Sequence, residues 1–354
     1  MLHVTNGSVF LSRLHDLGVP GTIIPWDDVL HEGPVPAGLS PNELRRCRAE
    51  FLAIDWGDVT DIERGLTSRD QAVVDAASGD EIVLWFEHDL YDQLHVLQVL
   101  DLLHELQTSS RLAARVTAIL ADDYLAAQPD DLLSQWFASR MVVSEAQLAA
   151  AAAAWDAFRA PEPLALQAFQ HPGAWPTLTK ALRRHLQQFP AVGTGLSRTE
   201  RQTLAAAVNG PRPLRELFRA SNHECEDAIF MGDLGWWSHI RPLLTGAQPL
   251  LESDDRRPDD WHHEDWWRDD GPAPALRLTA TGARVLAGEA DHVRLNGINR
   301  WLGGVHLVVA SVSGESPVSG TRFPLPASQT ETFTYGTPTS MWRWNEERGT
   351  IERG

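Results

Sequence analysis

Between Glu81 and Gln93 the chain reads EIVLWFEHDLYDQ, a stretch that few local arrangements can accommodate. Ile82 to Phe86 form an unbroken apolar run, too short for a helix and without the alternation of a half-exposed strand. Such a run suits a strand buried on both faces, as in a parallel sheet. It stops at three ionisable residues, Glu87, His88 and Asp89, and a helical apolar pattern then runs over 90–106. In an open α/β sheet, ligands collect outside the carboxyl ends of the strands. The Glu-His-Asp cluster is therefore expected to face a crevice.

The same pattern recurs on either side. Leu2–Thr5 reads as a first strand, broken by Asn6-Gly7, with Ser8 as the cap of a helix over 9–17 that Gly18 stops. A strand, a glycine turn and a helix start can bind an anion through backbone N–H groups. One glycine without the full dinucleotide fingerprint fits a plain strand-to-helix turn about as well. Gly21–Ile24 reads as a second strand, followed by Pro25-Trp26-Asp27-Asp28 and a loop containing His31, Glu32, Gly33, Pro34 and Pro36. The prolines and glycine stiffen that loop into a platform. Asp27 and Asp28 also read as ordinary turn residues. Arg45, Arg46 and Arg48 read as a solvated helix face. A helix is expected over 70–77, and Arg115–Leu120 is a further strand, ending in Asp122-Asp123. Four strand ends on one edge of a parallel sheet would make a site. His95 and His104, on the 90–106 helix, read as surface or core histidines.

Charge narrows the functional classes. The net charge is −18, and residues 1–180 carry eleven basic and twenty-six acidic groups, a balance of −15. Binding to nucleic acid requires cations that replace phosphate counterions, so DNA is a poor partner for this half. No apolar run approaches the length of a membrane span, and no basic-then-apolar leader opens the chain. Cys47 and Cys225 stand far apart, which fits a reduced cytoplasmic protein and excludes a cysteine-based zinc site.

Residues 145–160 form an Ala-rich helix, and the prolines at 161, 163 and 172 mark a domain edge. Beyond it a helix is expected over 180–188. Ser197 to Glu200 form a capping box, helices are predicted over 213–219 and 224–244, and a strand at 276–279 precedes a helix at 283–287. Three helices and a strand suggest a winged-helix plan, which binds DNA or packs against protein. Its wing would enclose 252–270, with nine acidic residues against three arginines, a sign that phosphate repels. His262-His263-Glu264 in that insert lacks the i, i+4 spacing of a helical zinc motif. Asp291, Asn296, Arg300 and His306 surround a glycine pair that reads as a structural corner. The resulting plan is α/β: a Rossmann-like parallel-sheet domain over 1–145 and a helical connector over 146–180. A mostly helical, winged-helix-like domain over 181–310 and an extended or partly disordered tail over 311–354 complete it.

Four of these stretches carry a resemblance. HVTNG at 3–7, PWDDVLHEGPVPAGL at 25–39, LWFEHDLYDQL at 84–94 and LNGINRWLGGVHL at 295–307 resemble the bacterial family catalogued as domain of unknown function eighteen-thirty-five. Members usually carry Asp after the Asn-Gly turn, where this chain has Ser8. The family name implies no activity, so the resemblance supports the site and not a reaction.

Two functions fit the residues. One is an enzyme, a hydrolase or group transferase acting on a small phosphorylated or nucleotide-like ligand. There Asp27, Glu87 and Asp89 would hold a divalent metal such as Mg²⁺ or act as general base. His88 or His31 would titrate near neutrality. Asn6 and Gly7 would cradle an anion, Trp26 would stack on a planar group, and Glu32 would bind ligand beside His31. The other is a non-catalytic regulator, whose α/β half senses a small molecule and whose helical half contacts a protein or nucleic-acid partner. No nucleophile elbow, P-loop or complete Rossmann fingerprint is present. The residues leave cofactor and oligomeric state open. The enzyme reading requires Asn6, Asp27, His31, Glu87 and Asp89 to face one cleft.

Overall fold

A computed structural model describes residues 1–169, 176–253, 274–311 and 341–354. The chain divides into two units, Met1–Arg183 with Gly303–Val305, and Arg184–Leu302 with His306–Gly354. Residues 146–180 fall within the first of these units. No helix among the described residues is long and apolar enough to cross a membrane.

In the first unit, β1 (Leu2–Asn6) leads into α1 (Gly7–Asp16) and β2 (Thr22–Trp26). A loop containing the two-residue β3 (Gly33–Pro34) precedes α2 (Pro41–Trp56) and α3 (Val59–Ala76). Then follow β4 (Glu81–Phe86), α4 (Leu90–Thr108), β5 (Arg115–Leu120), a short helix α5 (Asp130–Ala138), β6 (Met141–Val142) and α6 (Glu145–Arg159). The sheet order is β2-β1-β4-β5-β6. β2, β1, β4 and β5 run parallel, and β6 is antiparallel to β5. The unit is thus α/β with a mostly parallel sheet. α3 begins eleven residues before the expected Asp70, because Asp58 caps it through the Thr60 N–H at 2.8 Å.

The apolar run behaves as its pattern requires. Every residue of β4 is buried, and Ile82 to Phe86 are fully so. One side of the sheet packs Phe10 and Leu14 of α1 against Val83, Trp85 and Ile119. Burying side chains of this size contributes about 1.5–3 kcal/mol each. Trp85 donates its indole N–H to Nδ1 of His3 at 3.0 Å, and the other ring nitrogen of His3 meets the Pro20 carbonyl at 3.0 Å. His3 must therefore be neutral with its proton on Nε2, and burial lowers its pKa in the same sense. The glycine pair at 303–304 leaves no room for a side chain. A Cβ on Gly304 would stand 1.8 Å from the Arg159 carbonyl oxygen.

The second unit opens a helix at Arg198–Ala206 with the expected capping box, Ser197 and Glu200 bonding reciprocally. A strand at Arg212–Pro213, a helix at Leu214–Phe218 and a π turn at Arg219–His223 follow. A helix at Asp233–Thr245 precedes strands Leu251–Ser253 and Ala275–Leu278. The three strands form an antiparallel sheet with Ala275–Leu278 in the centre. The helix expected from 224 starts only at Asp233. Glu226 is turned to Arg184 at 2.7 Å and Asn222 donates to the Met231 carbonyl at 2.7 Å, which holds the segment out of helical register. Residues 254–273, with most of the acidic insert and His262-His263-Glu264, lie outside the described residues, as does 312–340 of the expected tail. Its end is ordered: Trp342–Asn345 and Thr350–Arg353 form an antiparallel hairpin. Asp291, Asn296 and Arg300 are committed to structure, bonding Arg343, Gln248 and Glu200 respectively.

Candidate functional site

β1 lies between β2 and β4, so the order of strands reverses at its carboxyl end. Ligand crevices of open α/β sheets form at such a point. Asn6 stands there, at the N-cap of α1, and its side chain caps no helix N–H. Instead Nδ2 donates to Oδ1 of Asp92 at 3.0 Å. The other Asp92 oxygen accepts the Glu87 backbone N–H. Asp89 caps α4, accepting the Asp92 N–H at 3.1 Å. The Leu125 N–H donates to Oε1 of Glu87 at 2.7 Å, and Gln93 donates to the Glu87 carbonyl at 2.6 Å.

One oxygen each from Glu87, Asp89 and Asp92 can lie within 4.8 Å of the others, and all three residues are buried. Burial pushes the Asp89 carboxyl up to about 7, and the charge of Glu87 adds to it. Burial, then the charges of Asp89 and Glu87, raise Asp92 as well. Burial raises Glu87 in spite of the N–H groups donated to it. Carboxylates this close in a low-dielectric setting cannot all ionise without a cation. They either retain protons near neutrality or bind a divalent ion through oxygen. Asp92 is absent from the residues singled out by sequence. Its signal was the i, i+3 spacing from Asp89, which puts both on the first turn of α4.

Asp27 emerges on the other side of β1 but on the same edge. Gly7, at φ +56°, lets it approach: a Cβ there would stand 3.1 Å from Oδ1 of Asp27. Burial raises the Asp27 carboxyl although Arg69 pulls it down. Its side chain is nevertheless open to a cleft of about 780 Å³. Ile24 and Pro25 of β2, Leu66 of α3 and Tyr91 of α4 line that cleft with it.

The loop after β2 is held by a residue read as solvated. Arg48 is only 1% exposed. Its guanidinium meets the buried Asp28 carboxylate at 2.6 Å and donates to the carbonyls of Val29, Glu32 and Pro34 at 3.1, 2.8 and 3.3 Å. Burial pushes Asp28 up, but Arg48 outweighs it and keeps the carboxyl below its ordinary range. His95 adds a ring nitrogen 2.7 Å from the Asp28 carbonyl. Burial drives its pKa down to about 3, so the ring is neutral and donates. The loop thus places His31, whose Nε2 lies 3.3 Å from Oε1 of Glu32, with its ring 6.1 Å from that of Tyr91.

The predicted residues converge in part. Asn6, Gly7, Glu87 and Asp89 meet at the reversal point, Asp27 flanks it across β1, and His31 with Glu32 stand beyond Tyr91. His88 turns the other way, its ring 5.2 Å from Tyr124. Burial lowers its pKa, against the opposing charges of Asp123 and Asp122. Asp122-Asp123 is exposed turn chemistry, with Asp123 accepting the Tyr124 N–H at 2.7 Å. Trp26 is not available for stacking on a ligand. Its ring is 1% exposed, lies under the Arg69 guanidinium at 3.8 Å and donates to Gln98 at 2.8 Å.

Fold and site define a class: an α/β protein with a buried carboxylate trio at the reversal point of a mostly parallel sheet. Compared with models of protein families and with curated proteins, the chain matches none.

Proposed function

We propose that the protein is a metal-assisted hydrolase or group transferase acting on a small phosphorylated or nucleotide-like ligand. The observation that carries this reading is the trio of Glu87, Asp89 and Asp92, three buried carboxylates within 4.8 Å at a Rossmann-like switch point. These residues would hold a divalent ion such as Mg²⁺, which supplies charge neutralisation for a transferring phosphoryl group. Asn6 and the Gly7 turn at the start of α1 would orient the anion. His31 is the proton-carrying candidate on the β2 side, with Glu32 positioning it, and Asp27 is a ligand-facing carboxylate beside them. His88 faces Tyr124 and would serve only a ligand reaching that side. The motifs around Asn6, Asp27, Glu87 and Gly303 support membership of the bacterial family of domain of unknown function eighteen-thirty-five, and a reduced cytoplasmic setting suits the two free cysteines, Cys47 and Cys225. In a calorimetric titration with Mg²⁺ or Mn²⁺ at pH 8, wild type should bind one ion and Asp92→Asn should bind at least tenfold more weakly. Equal affinities in the two proteins would end the metal reading.

One observation favours a second reading, a non-catalytic ligand-sensing regulator. In the second unit the order helix, strand, helix, helix, strand, strand, with the last strand central, supports a winged-helix-like reading. The acidic composition of residues 252–270 argues for a protein partner over DNA. Duplex DNA should bind weakly at physiological salt. Sub-micromolar, salt-sensitive binding to a defined duplex in an anisotropy titration would promote the regulator and reverse the choice of partner.

A further inference from the structure

The cleft beside β2 is lined largely by apolar side chains and by two aspartates, of which Asp28 is buried and committed to Arg48 while Asp27 is exposed. Ile24 lines it from the strand, Ile62 and Leu66 from α3, and Trp56 from the end of α2. Trp56 is 44% exposed, a large aromatic surface left to solvent at the cleft wall. Asp27 stands at the end of β2, and among the described residues its carboxylate is approached by the charge of Arg69 with no hydrogen-bond donor. The Arg69 guanidinium is engaged elsewhere, stacked on Trp26 and donating to the Asp27 backbone carbonyl at 3.0 Å. A volume of about 780 Å³ falls in the range of clefts that bury small ligands and cofactors, roughly 300–1,000 Å³.

We propose that this cleft is the subsite for the planar heterocycle of the ligand, which stacks on Trp56 and presents two adjacent N–H donors to the Asp27 carboxylate. A carboxylate has two acceptor oxygens and no donor, so its complement is a two-donor edge. Guanine offers such an edge in N1–H and the 2-amino group. Adenine places an acceptor nitrogen beside its amino group, and hypoxanthine lacks the amino group. Stacking on an exposed indole is indifferent to base identity, so the choice falls to Asp27. The subsite rests on the nucleotide-like reading for the ligand's class, but it requires neither a phosphate nor an ion.

That independence shapes the test. Guanosine, inosine, adenosine and xanthosine are titrated into the full chain in EDTA, with binding read by calorimetry. Guanosine should bind about tenfold or more tightly than inosine or adenosine. Asp27→Asn replaces one acceptor with a donor, so it should lose guanosine about tenfold and gain xanthosine, whose 2-carbonyl accepts. Trp56→Phe should weaken all four nucleosides and leave their order unchanged. Equal affinity for guanosine and adenosine, or an Asp27→Asn variant with wild-type preference, would overturn the subsite. A lost preference with Mg²⁺ binding intact would count against the cleft alone. A retained preference without ion binding would count against the metal reading alone.

Discussion

Arg48→Met is expected to destabilise the first unit by about 3–5 kcal/mol, the cost of leaving a buried charge without its partner. Arg48 is 1% exposed and meets Asp28, which is 4% exposed, so water cannot take over the lost contacts. The carbonyls of Val29, Glu32 and Pro34 lose a donor at the same moment. Lysine should rescue little, because one ammonium cannot reproduce a fork that reaches a carboxylate and three carbonyls. Asp28→Asn in the Arg48→Met background should recover part of the loss, since the uncompensated charge is then gone. Urea midpoints of the three variants measure this. A loss below 1 kcal/mol for Arg48→Met would mean that the loop stands without its guanidinium.

The second large effect is on pH. Asp89 is pushed from an ordinary 3.8 to about 7 by burial. A folded-state value above the unfolded one means its contribution is fully present below about pH 4 and is lost as pH rises through 7. Asp92, raised by burial and by the charge of Asp89, shares this loss. In EDTA the wild-type protein should therefore become less stable from pH 5 to pH 8. Asp101, raised by burial to about 7, adds a slope of the same sign. Asp89→Asn keeps a side-chain oxygen to cap α4, so it should flatten the Asp89 part of the curve without undoing the helix start. Saturating Mg²⁺ should restore wild-type stability at pH 8, do little at pH 5, and do little for Asp89→Asn at either. Thermal melts across this range decide it: identical slopes in wild type and Asp89→Asn would show that Asp89 ionises without cost.

Much of the strand-end edge was legible because its signals are local. A five-residue apolar run has one comfortable environment, and a cluster of acids after it marks a strand end whatever the rest of the chain does. The Ser197–Glu200 capping box and the Gly18 stop involve neighbours within four residues, which is the range of periodicity and capping. The roles within that edge were not legible. Asp27 and Asp28 are adjacent and chemically identical, yet one opens to a cleft and the other is locked under Arg48. His88, read as a site residue, instead has its ring beside Tyr124, whereas His95, read as a surface or core histidine, is buried and donates to the Asp28 carbonyl.

The sequence by itself determined that buried strands would end in acids and that helices would follow them. Only the tertiary structure decided which acids meet. Asn6 reaches Asp92 across 86 residues, and Arg48 reaches Asp28 across 20. Contacts at such separations leave no periodic trace, because they depend on which strand falls beside which. Here β1 slotted between β2 and β4, and that order gathered Asn6, Glu87, Asp89 and Asp92 at one point. The same packing took Arg48 and Trp26 out of solvent, since side chains facing the sheet and the loop above it must exchange water for whatever partners the fold supplies.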